Sequence, residues 1–271
     1  GLESYPQYPQ FTSREASFIY FDRKNIQDGV YTRDEFYFEL EPFAVDSLDN
    51  FRPEAIQLEG TFISAGILPP LELEMSLRKD NSLGFYLESP EEGLPLYGGL
   101  GTFFNDIEMS SQGLHGYGTF DFLTSTTWSD DFLMHPDSMM ATSRRFLVRE
   151  QIEGTPFPYA ENTETSVKLR PAEEIMEISR MDEAFRIFGD SIFHGGDLAL
   201  GKSGMSGEGV MALPDARFES DGFRYAARSF SADSAGVQLK DPSFTEFPFL
   251  TSDVRIDVSV DERIGTFTAN G

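Results

Sequence analysis

Apolar and polar residues alternate along much of this chain. Leu71, Leu73, Met75 and Leu77 are separated by Glu72, Glu74 and Ser76, while Val254, Ile256, Val258 and Val260 alternate with Arg255, Asp257, Ser259 and Asp261. Shorter runs of the same kind are Ser166-Val167-Lys168-Leu169-Arg170, Gly236-Val237-Gln238-Leu239-Lys240 and Phe36-Tyr37-Phe38-Glu39-Leu40. A period of two sends successive side chains to opposite faces of an extended backbone, so each run predicts a strand with one buried and one wet face. Lys79-Asp80-Asn81-Ser82 and Pro95 punctuate these runs as turns. One segment has the period of a helix. Within 171–188, Ile175, Ile178, Met181, Phe185 and Phe188 recur three or four residues apart, behind Pro171, Glu173 and Glu174 at a plausible helix start. A shift of 89 residues places Ile175 on Ile264, in a strand-like stretch, so helix and strand compete there.

The pattern returns along the chain with a spacing of 91. Gly113-Leu114-His115-Gly116-Tyr117-Gly118 reappears as Gly204-Met205-Ser206-Gly207-Glu208-Gly209. The same offset aligns Tyr97-Gly98 with Phe188-Gly189, Ile107 and Met109 with Leu198 and Leu200, and Ser129-Asp130 with Ser220-Asp221. It also aligns Phe132 with Phe223, and Ala141 and Ser143 with Ala232 and Ser234. After a one-residue slip, Phe157-Pro158-Tyr159 matches Phe247-Pro248-Phe249. A gapless series over about 45 residues, mixing Gly, apolar and polar positions, predicts an internal repeat. The expected division is a partial or degenerate β unit at 1–95, one unit at 96–186 and a second at 187–271, forming one continuous elongated β domain. Repeat arrays close with polar caps, and none is evident before Gly271, so the natural chain is expected to continue.

Composition sharpens this picture. The 271 residues suit one large β domain or two to three small ones, and 26 Phe with 10 Tyr favour strands. The net charge of −25, from 21 basic and 46 acidic residues, disfavours nucleic acid and anionic bilayer surfaces as partners. Without Cys there is no disulfide framework, thiolate metal site or Cys nucleophile. No apolar run is long enough to span a bilayer as a helix, and Gly1-Leu2-Glu3-Ser4 has no signal-peptide pattern. An initial Gly in place of Met suggests a trimmed chain.

The motifs carry little chemistry. Gly196-Asp197-Leu198-Ala199-Leu200-Gly201-Lys202-Ser203 satisfies the phosphate-loop pattern. Its centre reads as a strand, however, and the Gly-rich residues that follow cannot open a helix, so the pattern is set aside. The glycines of the two G-x-x-G-x-G copies suit a tight turn, a bulge or close strand contact. His115, His135 and His194 lack metal-ligand spacing and are expected at surface or satisfied loop positions. No acid pair for glycoside hydrolysis stands out among 46 carboxylates, and the single Trp128 argues against an extensive sugar-stacking groove. No catalytic, cofactor-binding or metal-binding residue is assigned, and no cofactor.

The repeated elements have a familiar order. They run G-[LM]-x-G-x-G, an aromatic or apolar strand, S-D-x-F, a stretch like Phe230-Ser231-Ala232-Asp233-Ser234-Ala235-Gly236-Val237-Gln238-Leu239, an F-P-aromatic turn and a final alternating strand. Over most of 60–271 this resembles the very large exported repeat proteins of Bacteroides-type bacteria. Residues 230–239 also resemble a strand pair of the lipopolysaccharide-transport periplasmic β-jellyroll proteins. The first resemblance implies export to the periplasm or cell surface; neither transfers a catalytic residue. The reading is therefore an all-β, extended and repetitive architecture, jellyroll- or solenoid-like, with tandem β-sandwiches as the alternative. The expected function is a non-catalytic structural or interaction segment of a large cell-envelope protein, with other envelope proteins as partners. The alternatives are a lipid- or glycan-binding or transport domain and a glycan-active hydrolase.

Overall fold

A computed structural model describes residues 10–21, 35–46, 48–49, 52–53, 57–78, 83–152, 155–180, 185–187, 191–195, 197–212, 216–239, 249–259 and 264–269. The protein is all-β: among these residues there are 26 strands, one 3-10 turn at Tyr97–Gly99 and no α-helix. No helix is long and apolar enough to cross a membrane. The chain divides into two compact units. One comprises Gly1–Gly118 with Asp131–Asp137, the other Thr119–Asp130 with Ser138–Gly271, and the division falls within the strands Gly113–Phe122 and Ser125–Met134.

In the first unit an antiparallel ladder runs through Ser17–Tyr20, Phe36–Leu40, Gln57–Ser64, Leu71–Leu77 and Leu83–Glu88 to Gly101–Ser110. The last strand also pairs with Leu94–Leu96. Alternation puts Phe36, Phe38 and Leu40 on one face, all buried, with Phe62 and Met75 beside them. Phe62 is the hub: its ring lies 5.1 Å from Phe36, 4.8 Å from Phe85 and 6.3 Å from Phe21, each edge-on. Such pairs contribute about 0.5–1.5 kcal/mol each beyond the apolar area they bury. The alternation of Leu71–Leu77 does form a strand, yet only Met75 of its apolar residues is buried and Leu77 stays exposed. The turn expected at residues 79–82 lies outside the described residues.

In the second unit two ladders diverge from Gly204–Ala212. Its early residues pair with Leu198–Gly201, and that ladder continues through Ile175–Arg180 and Thr165–Arg170 to Met139–Ser143. Its later residues pair with Ser191–Gly195, and that ladder continues through Phe185–Ile187, Thr155–Asn162 and Arg145–Ile152 to Ser125–Trp128. Beyond Gly204–Ala212, long hairpins of Ala216–Ala226, Ser229–Leu239, Phe249–Ser259 and Ile264–Ala269 follow in sequence order. The two ladders turn apolar faces inward: Ser125 Oγ of one lies 3.9 Å from Met176 Sδ of the other, with Phe146, Val148, Val167, Leu169 and Ile178 buried.

The helical period over 171–188 is overruled. Residues 171–174 form a turn, and Ile175–Arg180 is a strand paired on both edges, Ile178 with Val167 and with Leu198. Met176 and Ile178, two apart, are the buried positions. One flanking strand pairs with all of 175–180 and a second with Met176, Glu177 and Ile178, and that outweighs a local period of 3.6. Phe185 lies in a further strand, while Met181 and Phe188 fall outside the described residues, as do residues 240–248 with Phe247-Pro248.

Residues 91 apart occupy matching places. Gly113 and Gly204 open strands with φ of 116° and 102°, and Gly118 and Gly209 have φ of 152° and 137°. Buried Leu114, Ile107, Met109, Phe132 and Ala141 correspond to buried Met205, Leu198, Leu200, Phe223 and Ala232. Ser129 Oγ donates 2.7 Å to the Thr142 carbonyl and Ser220 Oγ 2.7 Å to the Ser234 carbonyl; both donors are buried, but the acceptors lie 92 rather than 91 apart, and Ser143 is buried where Ser234 is exposed.

Candidate functional site

The outward face of the first unit gathers Arg78, Glu108, His115, Tyr117 and Asp131. Alternation along Gly113–Phe122 points Leu114 inward and His115 and Tyr117 outward. Asp131 comes from the next strand, Glu108 from Gly101–Ser110, and Arg78 follows Leu71–Leu77. With Ser110 and Gln112 they line a shallow recess of about 330 Å³. Arg78 donates to Glu108 Oε1 from Nη2 at 2.5 Å and from Nε at 3.1 Å. His115 Nδ1 donates to Asp131 Oδ1 at 2.6 Å, and Nε2 faces the Gln112 carbonyl at 3.3 Å. The Tyr117 hydroxyl is held above its ordinary pKa, first by burial and then by the negative charges of Glu108 and Asp131, with Arg78 opposing.

Half of a catalytic triad is therefore present in form, a His oriented by an Asp. The chemistry stops there, because the nitrogen that would take a nucleophile's proton points at a carbonyl, which can only accept. The imidazole instead closes the hairpin turn at Gln112 and cross-links two strands. Arg78 with Glu108 does the same across a wider gap. The sequence predicts His115 at a surface or satisfied loop position, and the structure places it on a strand with Asp131 as its partner. A partial signal was available, since His115 and Tyr117 share the polar phase of an alternating strand, but Arg78, Glu108 and Asp131 reach them only through strand register.

His135 lies in the loop after Ser125–Met134, buried, and its carbonyl accepts from the Tyr97 hydroxyl at 3.0 Å. His194 sits in Ser191–Gly195, opposite Val210. Trp128 lies under the Arg145 guanidinium, 4.9 Å from its ring centre, and Arg145 pairs with Glu161 at 2.7 Å. Among the described residues no cluster of three or more His, Asp and Glu could hold a metal ion.

The phosphate-loop pattern resolves into strand, turn and strand. Leu198–Gly201 and Gly204–Ala212 form a hairpin with Lys202 and Ser203 at its tip. The glycines after it keep the hairpins close. A Cβ on Gly207 would meet Leu198 and the Phe223 ring, and one on Gly116 would meet Met134 and the Phe103 ring. Between Gly207 and Gly209 the register shifts by a bulge. Around the Lys202 tip a second recess of about 460 Å³ is lined by Arg149, Arg224 and several hairpin turns.

Comparison with known proteins returns no matching family model, no similar curated protein and no similar solved structure.

Proposed function

We propose that this chain is a non-catalytic structural or interaction segment of a large exported cell-envelope protein, containing two copies of one β unit near 96–186 and 187–271. One observation carries the reading. Several apolar positions 91 apart, such as Phe132 with Phe223 and Leu114 with Met205, keep their burial, and two left-handed glycines recur, whereas outward residues differ: His115 against Ser206, Tyr117 against Glu208, Asp131 against Gly222. A duplicated scaffold with divergent wet faces fits a modular array that presents surface, and does not fit one shared reaction. Envelope proteins are the expected partners. The test is to fractionate the producing cells and probe with antibody to this chain. Recovery in the envelope or surface fraction is expected. Recovery in the cytosol, or release of reducing sugar from polysaccharides by the purified chain, would overturn the proposal.

A second reading, glycan binding, is favoured by one feature. Phe18, Tyr20 and Tyr37 stack on one face of the strands Ser17–Tyr20 and Phe36–Leu40 with ring centres 5.9–6.2 Å apart, and Phe18 is 46% exposed. Exposed rings of this kind offer apolar platforms to sugar faces. Polysaccharide retention in affinity electrophoresis that vanishes in Phe18→Ala/Tyr37→Ala would support it, and unchanged mobility of the unsubstituted chain would exclude it.

A further inference from the structure

We propose that the recess beside Lys202 binds an oxyanion, a carboxylate or phosphate carried on a small apolar body. Its lining combines Arg149, Lys202 and Arg224 with Leu123, Leu200 and Tyr225, and not one of the twelve residues around it is Asp or Glu. In a chain with 46 acids and 21 bases, three cations converging without an acid among the lining residues run against the composition. At physiological salt the field of a charge fades over about 8 Å, so a local cluster governs what an anion meets there despite the net charge. The volume, about 460 Å³, falls within the range of small-molecule sites.

The cations are set in place rather than scattered. Arg224 donates from Nε and Nη2 to the Ser203 carbonyl at 3.0 and 2.8 Å, which fixes its guanidinium plane beside the Lys202 turn. Arg149 donates from Nη1 to Thr126 Oγ1 at 3.3 Å, and its backbone N–H donates to the Thr124 carbonyl at 2.8 Å. A guanidinium has five N–H donors in a planar fork, so each retains donors suited to a two-oxygen group. Lys202 pairs with Glu174, which lies outside the lining. That pair is exposed, and such pairs are weak enough for the ammonium to turn to a ligand. Leu200 and the buried Tyr225 supply the apolar floor.

Leu123 and Ala227, both in the lining, sit in hairpin turns with φ of 51° and 46°. The site is not a nucleotide loop, because no helix N-terminus meets it. It also stands or falls apart from the envelope reading.

The test is titration of the 15N-labelled chain with sodium phosphate, and separately with sodium acetate, at low ionic strength. Saturable shifts of the Gly201, Lys202, Ser203 and Ala227 amides are expected with at least one of the two, and the responding anion identifies the headgroup. Arg224→Gln and Lys202→Gln should each weaken binding at least fivefold, and Arg149→Gln/Arg224→Gln should abolish it. Arg255→Gln, which removes an exposed cation outside the lining and paired with Asp257, should leave affinity unchanged. Circular dichroism checks that each variant keeps its strands. If neither anion saturates these amides, or if the Arg255 variant weakens binding as much as the Arg224 variant, the proposal fails.

Discussion

Along Gly113–Phe122, Leu114 and Phe120 are fully buried while His115 and Tyr117 face outward; along Gly204–Ala212, Met205 and Met211 are buried while Ser206 and Glu208 are exposed. The outward residues do not match. His115 reaches Asp131, whereas Ser206 has Gly222 at the position equivalent to Asp131. Asp106 and Asp197 make the point again: the first accepts from the Tyr86 hydroxyl and the second from Ser179 Oγ at 2.6 Å. Buried volume and backbone conformation restrict what a position can hold, while a wet position accepts any residue that its neighbours tolerate.

If the two segments are equivalent, paired substitutions should cost alike. Phe132→Ala and Phe223→Ala each remove a buried ring, and each should lower unfolding free energy by about 3–5 kcal/mol in urea titration. A large cost at one and none at the other breaks the equivalence. Gly118→Ala and Gly209→Ala force a side chain into a backbone region open only to glycine, and should each cost about 1–3 kcal/mol. Ser129→Ala and Ser220→Ala each strip a buried hydroxyl from a carbonyl, and about 1 kcal/mol is expected for both by the same measurement.

The outward positions should behave differently. His115→Ser, which gives the first segment the residue of the second, should change stability by less than about 1 kcal/mol, since its partner carboxylate is 61% exposed. A larger loss would show that the polar face is structural in one segment only. The smallest effect concerns Tyr86, whose hydroxyl is pushed up to about 12, chiefly by its hydrogen bond to the Asp106 carboxylate. Its folded value lies above the unfolded one, so its contribution to stability is complete below pH 10 and is lost as pH rises from 10 through 12. The absorbance difference between the protein and Tyr86→Phe should show one phenol ionising near pH 12, and Asp106→Asn should bring it back toward 10.

Much of the fold is legible in the sequence because it rests on a short-range rule. Where apolar and polar residues alternate at Phe36–Leu40, Thr165–Arg170 or 253–259, the backbone is a strand, and the more buried phase is the apolar one. Glycines at 113, 118, 204 and 209 announce positions that other residues occupy only with strain. The turns at Leu123, Ala227 and Arg228 give no such sign, because residues of ordinary preference are held there with positive φ by the strands on either side.

The sequence by itself determined that this protein is built largely of strands and, where alternation is strict as at Phe36–Leu40, which face is buried, since period two and side-chain polarity act residue by residue along the chain. Only the tertiary structure decided that 175–180 is a strand rather than a helix, and which outward residues meet. Those outcomes depend on register between strands that lie as far apart in sequence as Arg78 and Glu108, and a ladder's hydrogen bonds and packed neighbours exist only once the chain has brought them together.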